Sequence, residues 1–217
     1  VGENGAGKST LIRLMTGIYK PTEGTVHICK CDTRKTSMRV LFQGTSGVFQ
    51  NYQRYKLSLK DNIAISDLGK AENQEDIEKC LREVGLESKQ PDFKDGLNTM
   101  LSTEFEGIDL SGGQWQRIAI ARGIYRQNEV IVLDEPTSAI DPMEEMRLYK
   151  SFSEISHGKL AVIATHRLGS ARIADRIVVL DKGSIAEMGT HEELMANRGK
   201  YAEMFKKQAS WYESVMQ

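Results

Sequence analysis

Near its start the chain reads Gly2-Glu3-Asn4-Gly5-Ala6-Gly7-Lys8-Ser9-Thr10, and no other stretch limits the possible folds as tightly. Glycine tolerates backbone conformations that other residues resist, so successive N–H groups here can curl around an anion. Directly afterwards Leu11, Leu14, Met15 and Ile18 recur with helical spacing until Gly17 to Pro21 stop the pattern. A glycine-rich loop that opens a helix points the positive end of the helix dipole at a bound phosphate. The spacing Gly2-x-x-x-x-Gly7-Lys8-Ser9 assigns roles: Lys8 reaches the outer phosphates, and the Ser9 hydroxyl holds Mg2+, which prefers oxygen ligands shared between protein and phosphate. Asn4, Gly5, Ala6 and Thr10 complete the candidate phosphate-binding set. Such a loop follows a buried strand; only Val1 stands before it, and the chain does not begin with Met, so a truncated start lacking the first strand is expected.

Two continuous apolar runs, Val130-Ile131-Val132-Leu133 and Leu160-Ala161-Val162-Ile163, read as strands buried on both faces of a mostly parallel sheet. A helical stretch over about 143–156 joins them as a βαβ unit. Shorter extended pieces are expected at 25–28, 39–42 and 47–50, the last two separated by Gly44-Thr45-Ser46. Between them and the apolar strands, Ile77, Leu81 and Val84 form one stripe on a charged helix that Gly85 ends, and a second helix runs from near Ser111 to about Arg126. Near the end, 177–188 reads as a hairpin around Asp181-Lys182-Gly183. Thr190 and Glu193 then make a capping box for a single closing helix through about Tyr212. The expectation is an α/β fold: one domain over 1–217, with a core of 1–50 and 128–217 and an α-helical insert at 51–127.

Composition removes several function classes. Lys plus Arg (29) nearly balances Asp plus Glu (30), which argues against nucleic-acid binding through a broad basic surface. No apolar run approaches the roughly 20 residues of a membrane-spanning helix. Cys29, Cys31 and Cys80 match neither a zinc nor a disulfide framework, and Cys29 and Cys31 read as neighbours on one face of a strand. Tyr201, Phe205, Trp211 and Tyr212, at helical spacing, read as core, and His27, His157 and His191 as structural.

Chemistry concentrates at two further points. The run 130–133 delivers Asp134 and Glu135 at its carboxyl end, where ligands of open α/β sheets sit. Asp134 suits a Mg2+ shell, and Glu135 suits a base that orients and activates water. Leu110-Ser111-Gly112-Gly113-Gln114 opens a helix with Ser111 and Gln114 placed for a capping box and glycine N–H groups left accessible. These three motifs, in this order, resemble the ATP-binding cassette (ABC) ATPases, whose signature Leu110 to Gln114 matches.

The resemblance implies a P-loop NTPase, RecA-like core that binds ATP with Mg2+. It also implies that Gln50, in Val48-Phe49-Gln50-Asn51, is the glutamine that senses Mg2+ and faces the membrane domain; Gln43 is a rival, and Gln50 is preferred because 57–63 fits the family's continuation. Ser138-Ala139-Ile140-Asp141 resembles the loop that crosses the dimer interface, and His166 the histidine that contacts the γ-phosphate. In this family Ser111, Gly112, Gly113 and Gln114 of one subunit meet the P-loop of a second, sandwiching ATP in a head-to-tail dimer.

Gln50 to Tyr55, Ile108 to Gln116 and Gly189 to Leu194 are similar to exporter-type cassettes, particularly of bacterial peptide and lantibiotic exporters. Thr103-Glu104-Phe105-Glu106-Gly107 is an approximate counterpart of an exporter segment that precedes the signature. That branch implies a transmembrane domain as partner, usually on the same polypeptide, a place at the cytoplasmic face of the cell membrane, and an adenine-stacking aromatic upstream of Val1. The rival readings are a soluble translation-factor cassette, decided by the sequence upstream, and a chromosome-maintenance ATPase, for which no sustained heptads are present.

Overall fold

In chain order the elements are α1 (Lys8–Met15), β1 (His27–Ile28), β2 (Cys31–Asp32), α2 (Met38–Leu41), β3 (Thr45–Val48), α3 (Leu59–Ala64), α4 (Gln74–Glu83), α5 (Gly112–Tyr125), β4 (Val130–Asp134), α6 (Pro142–Ile155), β5 (Leu160–Ala164), α7 (Leu168–Ala171), β6 (Ile177–Asp181), β7 (Ser184–Gly189), α8 (His191–Ala196) and α9 (Lys200–Val215). The structure, a computed structural model, describes residues 1–70, 73–126, 128–136 and 142–215, with the backbone alone at 142–145, 147, 151, 155 and 211–215. The expected dimer-crossing loop, Ser138 to Asp141, lies outside the described residues, as do the side chains of Trp211 and Tyr212. The chain forms two compact units, one of Val1–Thr36 with Ile163–Gln217 and one of Ser37–Val162; the expected insert at 51–127 lies wholly within the second.

In the first unit, Val1 pairs with β6 in the parallel manner: its N–H donates to Val178 O at 2.7 Å and its carbonyl accepts from Leu180 N at 2.8 Å. Beneath lies a core of Leu168, Ala171, Ile177, Val179, Leu194 and Tyr201, flanked by Val1, Met204 and Phe205. Tyr201 and Phe205 are therefore core, as read, and His191 is structural: its Nδ1 lies 2.9 Å from the Tyr201 hydroxyl. Both hairpins close through two-residue turns with positive φ at both positions, Cys29 (48°) and Lys30 (68°), then Lys182 (47°) and Gly183 (80°), which suits the twist of the flanking strands. Cys29 thus sits in a turn and only Cys31 in a strand, correcting the one-strand reading. The single closing helix is also corrected. Arg198, at φ 53°, breaks it, and the Glu187 carboxylate on β7 accepts from the N–H groups of Lys200 and Tyr201, starting α9 afresh.

In the second unit β3 pairs parallel to β4, and the sheet order is β3-β4-β5. Helix α5 packs against α3, α4 and β3 and is buried on nearly every side, from Trp115 to Tyr125. Gly123 explains how close it comes: a Cβ there would stand 2.6 Å from Val48 Cγ2, and Ser46 Oγ donates to the Gly123 carbonyl at 2.7 Å. Thr45 and Ser46 thus open the strand itself, right after Gly44, and are not the expected separator, while the expected strand at 39–42 is the one-turn helix α2 and its C-cap Phe42. Only Leu41 of that turn goes inside, and a short apolar run does not by itself distinguish helix from strand. Strand β4 is wholly buried, as expected, but β5 is not: Leu160 is 57% exposed at the end of the sheet order.

Helix α4 buries its expected stripe of Ile77, Leu81 and Val84, each worth about 1.5–3 kcal/mol of apolar burial. It ends as a glycine-terminated helix should. Gly85 takes φ 72°, its N–H donates to Arg82 O at 3.0 Å and the Leu86 N–H to Leu81 O at 2.9 Å.

Candidate functional site

The phosphate loop belongs to the first unit, and its shape follows from its glycines. Gly2, Gly5 and Gly7 take φ of 155°, 80° and 99°. A Cβ on Gly2 would lie 2.5 Å from the Leu180 carbonyl oxygen, so only glycine lets the loop leave β6 at this angle. Lys8 is buried in the bend, donating from Nζ to Gly2 O at 2.9 Å and to Glu3 O at 3.2 Å, while Ala6 N closes the turn on Glu3 O. The hairpin tip supports the loop from below, Gly183 N donating to Ala6 O at 3.1 Å. No side chain caps α1 at Gly7, and its first turn carries no acid. A cation inside a ring of backbone, at the start of a helix that no side chain caps, fits an oligophosphate. Ser9 and Thr10 follow in the first turn of that helix, and Asn4 and Gly5 are exposed on the loop's outer side.

The carboxylates belong to the second unit. The register ends with Val48 paired to Leu133, so Gln50 and Glu135 both follow closely on the carboxyl ends of adjacent parallel strands. Gln43 precedes β3, at the other end. Asp134 is buried, whereas Glu135 is half-buried and takes φ 49°. A non-glycine residue held there costs about 1–3 kcal/mol, strain that functional sites characteristically carry. Gln50 and Asp134 offer oxygen donors suited to Mg2+, with Ser9 as the third candidate in the first unit. Among the described residues no group of three or more His, Cys, Asp or Glu is placed to hold a metal ion.

The signature start of α5 is built from side chains. Ser111 Oγ accepts from Gln114 N at 3.2 Å and Gln114 Oε1 accepts from Ser111 N at 3.0 Å, the expected capping box. Gln114 Nε2 also donates to Asp92 at 3.1 Å, and the Tyr52 hydroxyl donates to the Gly112 carbonyl at 3.0 Å. Gly112 and Gly113, the first two helical residues, carry N–H groups with no partner inside their own helix.

His166 follows β5 in the first unit. Gln208 of α9 clamps it on both sides: Nε2 donates to His166 O and Oε1 accepts from Leu168 N, each at 2.7 Å. The sequence reading did not find Gln208, Tyr52, Asp92, Asn62 or Arg122. Asn62 left one trace, a polar residue inside the apolar pattern of Leu59 and Ile63. It is fully buried, donating to the carbonyls of Tyr55, Leu57 and Ser58 at 3.0–3.1 Å. Arg122 donates to Asn62 O at 2.7 Å and Gln53 O at 3.1 Å and lies over the Tyr55 ring at 4.7 Å; burial lowers the pKa of its guanidinium.

Residues 1–138 match the sequence model of a family described as ABC transporter. The subtilin transport ATP-binding protein SpaT of Bacillus subtilis is 37% identical over 205 residues, 94% of this chain and 33% of that protein. The nisin transport ATP-binding protein NisT of Lactococcus lactis is 35% identical over 206 residues, again 94% of this chain and 34% of that protein. The chain therefore spans about a third of the length of these curated relatives. A solved structure described as a bacterial Atm1-family ABC exporter with ATP bound superposes with a TM-score of 0.85 at 29% identity, covering 96% of this chain and 36% of that one.

Proposed function

We propose, because the chain belongs to the ABC transporter family, that it is the ATP-binding and ATP-hydrolysing part of an exporter. The observation that carries this reading is the loop of Gly2 to Lys8: an ammonium enclosed by backbone at the uncapped start of a helix. Gly2, Asn4, Gly5, Ala6, Gly7 and Lys8 hold the phosphates, and Thr10 lies in the same turn. Ser9, Gln50 and Asp134 would hold Mg2+, which when bound neutralises phosphate charge. Glu135, at the carboxyl end of β4, accepts the proton of the attacking water, and His166, its backbone carbonyl held by Gln208, contacts the γ-phosphate. Gly112 and Gly113 present their N–H groups, and Ser111 its hydroxyl, to the nucleotide of a second copy, with Gln114 holding the helix start through the capping box. The triphosphate joins the two copies, and loss of the γ-phosphate releases them.

The insert at 51–127 is then the helical subdomain that carries the signature, within one domain over 1–217. A transmembrane domain is the coupled partner, and the chain works at the cytoplasmic face of the membrane. Among the described residues no helix is long and apolar enough to cross it. Similarity to the subtilin and nisin transport proteins favours a peptide as the exported substrate, and no observation favours a translation-factor cassette. The test is ATP hydrolysis by the full chain against Glu135→Gln. The expected outcome is a rate about 100-fold lower or more, with ATP binding retained; a wild-type chain that binds no ATP would overturn the reading.

A further inference from the structure

The segment from Phe49 to Leu57 leaves β3 and reaches α3 without a strand or helix of its own. Its far end is held by the backbone bond from Leu101 N to Leu57 O and by the Lys56–Glu104 ion pair, and the rest of its position relies on side-chain hydrogen bonds that go to few places. Near Gln50, the Tyr52 hydroxyl donates to the carbonyl of Gly112, the first residue of α5. One to five residues after Tyr52, Arg122 on the same helix takes the Gln53 carbonyl and covers the Tyr55 ring, while Asn62 takes the carbonyls of Tyr55 and Leu57. Gly112 and Arg122 stand ten residues apart on α5, about 15 Å at 1.5 Å per residue. The segment is thus strapped along one helix at two points.

The two anchors differ in kind. Arg122 is held by several bonds, to Asn62 O, Asn62 Oδ1 and Gln53 O, and its loss would disturb the packing of α3 on α5. Tyr52 makes one hydrogen bond to the very residue whose N–H faces out from the helix start. A hydroxyl pulling on the Gly112 carbonyl sets the tilt of a peptide plane that itself carries the Gly113 N–H, and the plane before it carries the Gly112 N–H. We infer that Tyr52 is a positioning residue: its hydroxyl fixes the orientation of the Gly112–Gly113 backbone for closure on ATP, and ties it to the segment that begins at Gln50.

This inference rests on the proposed function. The hydroxyl acts on a surface that receives nucleotide and not on Glu135, so its removal should change the ATP concentration required and leave the chemical step alone. The experiment compares the full chain with Tyr52→Phe, which keeps the ring and removes only the hydroxyl, measuring KM for ATP, kcat and thermal midpoint. The expected result is a KM raised by about 2- to 10-fold, the loss of one hydrogen bond, with kcat within about twofold and an unchanged midpoint. A KM equal to wild type overturns the inference, as does a lowered midpoint without a KM change, the mark of a merely structural role. A fall in kcat at constant KM also overturns it, placing the effect at Glu135. Wild type without ATPase activity would instead overturn the function beneath it.

Discussion

The two glycine-rich helix starts to which the proposed function is assigned are built in opposite ways. At α1 the backbone does the shaping: Gly7 is left-handed, no side chain caps the helix, and Lys8 folds into its own loop. At α5 side chains do it: Ser111 and Gln114 cap each other, Asp92 holds Gln114, and Tyr52 holds Gly112. In the proposed function the first start offers backbone N–H groups and the Lys8 ammonium to an anion in the loop. The second satisfies its third N–H internally and leaves the first two without a partner in their own helix. On that proposal one start is a cradle and the other a lid for a shared nucleotide.

The comparison breaks most visibly at the cradle. Lys8→Met removes the enclosed ammonium and should lower ATP hydrolysis about 100-fold or more, read in a steady-state phosphate-release assay. Activity near wild type would show that the loop is only a turn. Next comes the support beneath the lid. Leu81→Ala empties a fully buried position on α4, which packs against α5, and should cost about 2–5 kcal/mol in denaturant unfolding. Ser111→Ala is milder, since it removes one half of the capping box. It should cost about 1 kcal/mol, and its effect on the KM for ATP should exceed its effect on stability.

The smallest expected effect is at the cradle's edge, where Lys200 pairs with Asp181 at 2.6 Å on the hairpin below the loop. The hydrogen bond from Lys200 holds the Asp181 carboxyl below its ordinary range, and Asp181 holds the Lys200 ammonium above its own. The carboxylate's contribution is present above the ordinary carboxylate pKa and lost as pH falls through the depressed value. The ammonium's is present below the ordinary lysine pKa and lost as pH rises through the raised one. Asp181→Asn should therefore flatten the stability profile slightly at its acid end, in melts across pH, and leave the neutral plateau nearly unchanged.

The same division decided what could be read from sequence. A loop shaped by its own glycines is written in consecutive residues, so the positions of Gly2, Gly7 and Lys8 announced it directly. The capping boxes of α5 and α8 were legible for the same reason, each lying within four consecutive residues. The bonds that hold the signature start and His166 are not local: Tyr52 reaches Gly112 across 60 positions, and Gln208 reaches His166 across 42. No spacing rule records such pairs. Strand β3 hid behind Thr45 and Ser46 because its reason for being there is Gly123 on another element, and the break between α8 and α9 depends on Glu187 from β7. Where a feature is held by neighbours in sequence it could be read, and where it is held by neighbours in space it could not.

Cradle and lid as separate functions can be tested by the mass of the protein under Mg-ATP. Glu135→Gln, which retains nucleotide, is compared by light scattering and ATP-binding titration with Glu135→Gln carrying Gly113→Glu, whose carboxylate would face the γ-phosphate of a second copy. The account predicts that the single variant doubles its mass with ATP, and that the double variant binds ATP to a similar extent while remaining a monomer. Loss of ATP binding with Gly113→Glu, or a dimer that forms regardless of it, would contradict the division between the two helix starts.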